Sequence, residues 1–265
     1  MAEVKESRDA GAPTPRDPES ARSGIRGWIT GVFMDPSGTF SSIAESLERP
    51  HPTDPSKTKD TSKWWLPVII TIVVGIGIAL YTVPTFIAPV QADAVREAVM
   101  ERGGTEADVE QAMSISGAMM VPMSLIGVVV VTFILVFAAA GAVHLLMKML
   151  GGKGKFRHAR AIVAWSMLIT TLGSLVKLPM MIAKKNMVVE TGPSLFFKNL
   201  EPSDRLFKFL SSFDIFTIWW MVVLAVAMAV VYRVSRGKSW VAVAILWIVI
   251  ILISTFTPGG MGAGM

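Results

Sequence analysis

Residues 111–147 read QAMSISGAMMVPMSLIGVVVVTFILVFAAAGAVHLLM and contain no Asp, Glu, Lys or Arg. A hydrocarbon core of about 30 Å is crossed by roughly 20 predominantly apolar helical residues, so this run alone can span one. As a continuous helix it would measure about 55 Å, which leaves part of it outside the core. Its membrane portion is placed after Pro122, from Met123 to Met147. Working outward, charge-free runs recur at 64–92, 161–176, 215–232 and 239–265. The predicted fold is an all-α integral membrane protein, a bundle of five transmembrane helices with amphipathic interfacial helices. The spans are read at 64–86, 123–147, 159–182, 213–232 and 240–256, within a membrane domain of 64–257.

Composition agrees with this reading. Of 265 residues, 52% are hydrophobic and 17% charged, against about 25% charged in a soluble globular chain. With no cysteine, a disulfide-stapled secreted domain is excluded. In the third span nine Ile, Val and Leu residues between Ala161 and Ile182 contribute about −4 kcal/mol, against about +3 kcal/mol for Lys177 at mid-membrane. Lys177 lies about 25 Å along a helix from Arg160, near the far interface, where its stem snorkels.

Orientation follows from the basic residues. The tail before the first span holds nine Lys and Arg. The loop 148–160 holds five and no acid, and the turn 233–238 holds three. The loop after the first span carries Asp93, Glu97, Glu101, Glu106, Asp108 and Glu110. This asymmetry places the N-terminus in the cytoplasm and the C-terminus outside. The loop 184–212, with Lys184 and Lys185, runs against the pattern locally. The sequence pI of about 9.6 reads as charge on the cytoplasmic membrane face, with no nucleic-acid partner implied.

Outside the spans, residues 1–23 form a polar cytoplasmic tail predicted to be disordered and lacking a secretory h-region. An amphipathic interfacial segment follows at 24–48. Ile25, Trp28, Ile29, Val32 and Phe33 fall on one helical face. Asp35 then reads as an N-cap with Pro36 at the first helical position, opening a helix with Phe40, Ile43, Ala44 and Leu47 on one side. The pair is expected either to lie on the cytoplasmic leaflet or to pack against the bundle. Residues 49–63 read as a flexible linker and 258–265 as a flexible end. Pro89 opens a further amphipathic helix, stopped by Gly103-Gly104, and Thr105 to Asp108 resembles a capping box.

The chain offers little for catalysis. Its histidines are His51, His144 and His158, and no HExxH, GxSxG or GxxxxGK[ST] motif occurs. Gly151-Gly152-Lys153-Gly154-Lys155 lacks the spacing of a phosphate loop and reads as a tight inter-helix turn. No cofactor is expected. His144 reads as a helix-end residue at the inner face. Lys177 and Asp214 fall near the outer interface on adjacent spans, where they could pair; ionisable groups at membrane depth are candidate functional residues. Trp28, Asp35 and Pro36 complete the candidate structural or interaction residues.

Along the chain occur Phe33, Asp35-Pro36, Phe40 and Ile43-Ala44-Glu45, then Trp64-Trp65-Leu66-Pro67. Gly151-Gly152, Phe156, Arg160 to Ser166, Phe213 to Trp219, and Arg233 to Arg236 before Trp240 follow in order. This order of features resembles the Ypt-interacting-protein (Yip) domain family, particularly its bacterial-type members. The chain departs from the family at 46–63, which looks expanded, and at Met167-Leu168-Ile169, where relatives often carry a proline. The resemblance implies five spans and a cytosolic N-terminus. For eukaryotic relatives it implies vesicle trafficking with Rab-type GTPases, a partner that nothing in these residues carries over. The expectation is a non-enzymatic protein of a bacterial inner membrane, acting through the lipid bilayer, other membrane proteins or a second copy of itself. The alternative is a small transporter or channel using Lys177 and Asp214.

Overall fold

The computed structural model describes residues 24–51, 54–189, 191–197, 201 and 204–256. The tail read as disordered and the C-terminal end therefore lie outside the described residues. The chain opens on a helical hairpin, α1 (Ile25–Met34) and α2 (Pro36–Glu48). As the sequence implied, the Asp35 side chain accepts from Gly38 N and Pro36 takes the first turn. The two helices pack closely: a Cβ on Gly31 would collide with the Thr39 hydroxyl, so a larger residue there would displace that side chain.

Among the described residues, five helices are long and apolar enough to cross a membrane. The first, α3 (Trp65–Thr82), passes through a π-helical turn at Val83–Ile87 into α4 (Ala88–Glu101). Pro84, which has no N–H to give, sits in that turn, and the wider π geometry absorbs it. The helix expected to begin afresh at Pro89 is thus continuous with the first span. After a turn at Gly103, whose φ is +78°, α5 runs as one helix from Glu106 to Met149. Its N-terminus carries the expected capping box, with Thr105 and Asp108 bonding each other's backbone N–H. Together α4 and α5 form a hairpin whose tip is tied by an ion pair between Arg96 and Glu106.

The third span, α6 (Phe156–Lys184), is the centre of the bundle. It buries Ile162, Trp165, Ile169 and nine other residues. Its lower hydropathy has a physical reason: a helix surrounded by protein needs small and polar-compatible contacts, whereas helices facing lipid need bulk apolarity. Short helix α7 (Arg205–Ser211) leads to α8 (Ile215–Tyr232) and α9 (Arg236–Phe256). One continuous core joins α1, α2, α5, α6, α8 and α9.

The N-terminal hairpin places its apolar side against this bundle. At one end Glu48 pairs with Arg233 at 2.9 Å. At the other, the Phe33 ring lies 5.7 Å from that of Trp219, about 20 Å further along α8 at 1.5 Å per residue. Trp28, Val32, Phe40, Ile43 and Leu47 are all buried. The residues read as a linker contain a two-stranded antiparallel ribbon, Pro50–His51 with Asp54–Thr58. Residues 59–64 then return to the bundle as a strap.

Candidate functional site at the positively charged end

Helices of alternating direction bring the N-terminal segment, the turn after α5 and the turn after α8 to one end. The strap is fixed there by polar contacts. Arg160 pairs with Asp60 at 2.7 Å and lies 4.2 Å above the Trp64 ring, a cation–π contact. Asp60 also accepts from the backbone N–H and hydroxyl of Ser62. Trp165 donates its indole N–H to the Ser62 carbonyl at 2.9 Å, and Thr61 donates to Ser46 O at 2.7 Å. Trp28, a candidate from the sequence, is buried edge-on to Trp165 at 5.5 Å and donates to Ser42. A single network therefore locks α1, α2, the strap and α6 together.

The glycine-rich turn serves Tyr232. Gly152 N bonds Met147 O, and Lys153 N bonds Tyr232 O. A Cβ on Gly152 or Gly154 would come within 2.8 or 2.6 Å of the Tyr232 ring. These glycines let the chain wrap an aromatic side chain, which accounts for their spacing without a phosphate. His144 Nδ1 lies 2.8 Å from the Tyr232 hydroxyl, and His158 Nδ1 accepts from Lys155 N at 2.9 Å. Among the described residues no group of three or more His, Asp or Glu could hold a metal ion.

Lys177 and Asp214 meet at the opposite end, with Nζ 3.0 Å from Oδ2. Asp214 is also the N-cap of α8, accepting from the N–H groups of Phe216 and Thr217. The Thr191 hydroxyl donates to the same carboxylate. Four donors thus converge on one buried acid, a fully satisfied arrangement. Asp35 and Pro36 lie at the hairpin tip, beside Ala225 and Val226 of α8 and Arg236 of α9.

Sequence reasoning did not find Asp60, Ser62, Glu48 or Tyr232. Asp60 and Ser62 sit in a Lys-, Thr- and Pro-rich stretch that looks like any linker. Tyr232 is separated from His144 by 88 positions. The signal available was the glycine pair itself, since close-packed glycines require a bulky neighbour.

Five apolar helices, a buried central span and a polar-braced end define a polytopic α-helical membrane protein. A family model, the Yip1 domain, matches residues 30–257, and the chain belongs to that family. Comparison with curated proteins and with solved structures gives no match.

Proposed function

We propose that this protein is a non-enzymatic component of a bacterial cell membrane that acts by binding lipids or proteins, in membrane organisation or trafficking. The observation that carries this reading is the braced end. The chain commits its Arg160–Asp60 pair, two indole contacts and a cation–π contact to holding the N-terminal hairpin and the strap rigidly on the bundle. Such preorganisation lowers the entropic cost of recognising a partner. With the N-terminus cytoplasmic and the C-terminus outside, the 148–160 turn and the N-terminal segment share the cytoplasmic face. Other membrane proteins and a second copy of the chain are the candidate partners, and a GTPase enters by family analogy alone.

The test is native mass spectrometry of the full chain extracted in mild detergent, paired with a photoreactive residue at Lys153 in intact membranes. Discrete adducts or retained lipid are expected. A monomer with neither lipid nor adduct would overturn the reading. The second reading, a small transporter or channel, draws on the ionisable pair Lys177–Asp214 within the bundle. It requires solute flux in proteoliposomes that Asp214→Asn abolishes. The four donors fixed on Asp214 favour a structural strut instead.

A further inference from the structure

Where the N-terminal hairpin tip meets the start of α9, the surface is hollowed into a groove of about 390 Å³, within the size range of small-molecule sites. Its wall is Ala225, Val226 and Ala229, small and apolar, and Trp240 and two opposite charges, Asp35 and Arg236, line its rim. Asp35 Oδ1 accepts from Gly38 N at 3.0 Å. Among the described residues no donor engages its second oxygen. Arg236 likewise has no ion pair among the described residues, and the two charges do not pair with each other.

We infer that this groove holds one phospholipid with a zwitterionic, primary-ammonium headgroup, of the phosphatidylethanolamine type. An anion at Arg236 alone would meet repulsion from Asp35, and a simple cation at Asp35 would meet Arg236. A headgroup carrying both a phosphate and an ammonium satisfies each charge. The guanidinium forks onto phosphate oxygens, and the ammonium donates to the free carboxylate oxygen. The alanine and valine wall then receives the start of an acyl chain. Arg236 lies just beyond the end of α8, at headgroup level, and Ala225 lies about 10 Å along α8 from Tyr232, within the hydrocarbon. Trp240, about half exposed at 47%, is the residue type that favours this boundary.

The inference deepens the lipid-binding part of the proposed function and rests on it. Full-length protein is equilibrated in vesicles of equal phosphatidylethanolamine, phosphatidylglycerol and phosphatidylcholine, extracted gently, and examined by native mass spectrometry. One equivalent of phosphatidylethanolamine should be retained at least fivefold over the other two. Phosphatidylcholine shares the phosphate, but its quaternary ammonium cannot donate to Asp35. Asp35→Asn keeps the helix cap and should reduce that preference about fivefold; Arg236→Gln should lower retention of all three lipids. Equal or better retention of phosphatidylglycerol, no retained lipid, or an unaltered preference in Asp35→Asn would each overturn the site. If adducts at Lys153 persist while the lipid preference is absent, the groove assignment fails and the broader reading stands.

Discussion

At the scale of single residues, Asp214 shows how one side chain carries two duties. It neutralises Lys177 and caps α8. Asp214→Ala removes both and should destabilise the solubilised protein by about 3 kcal/mol, read as a lowered thermal midpoint. Asp214→Asn retains the cap and should cost less. The charge swap, Lys177→Asp with Asp214→Lys, should fail to restore stability, because lysine cannot accept from the N–H groups of Phe216 and Thr217. Pairing was foreseeable from the depth of the two charges, but the capping role was not, since it depends on where α8 begins. Gly154 makes a second case. Its missing side chain leaves room for Tyr232, so Gly154→Ala should destabilise by about 1–3 kcal/mol through overpacking, measurable in the same assay.

At the scale of elements, hydrophobic runs were legible and their interruptions were not. The cap at Asp35-Pro36 and the capping box at Thr105 and Asp108 were readable, because each is a local hydrogen-bond pattern with fixed spacing. Pro89 suggested a fresh helix start after the first span. The helix instead continues, because the π-helical turn accommodates the missing donor. The strap at 59–64 was hidden for a different reason. Its polar residues find partners about 100 positions away, Asp60 on Arg160 and Ser62 on Trp165, and such pairings leave no local trace. Asp60→Ala should free the strap and speed protease cleavage between residues 50 and 63 in intact membranes, while Asp93→Ala, on the far hairpin, should not. Helix contact is equally specific: a Cβ on Gly173 would meet the Phe216 ring at 2.7 Å. Gly173→Val should push α6 from α8 and lower the thermal midpoint, again by about 1–3 kcal/mol.

At the scale of the whole molecule, the run at 111–147 and its four counterparts predicted the architecture because lipid demands long apolar helices. Their arrangement followed a rule that hydropathy alone obscures. The span with the weakest apolar signal, α6, is the most enclosed, while the two strongest, the first and second spans, are mostly unburied. The charges that end these helices collect the two basic turns and the braced N-terminal segment at a single end, where the proposed interactions occur. The proposed topology is five spans with that end in the cytoplasm. The cysteine-free chain allows a direct test by single-cysteine labelling with a membrane-impermeant maleimide in intact cells and inverted vesicles. Lys153→Cys should label only from the cytoplasmic side, and Gly103→Cys and Ser194→Cys only from outside once unfolded by detergent-free denaturant. Labelling of Ser194→Cys from the cytoplasm, or of Lys153→Cys from outside, would overturn this topology.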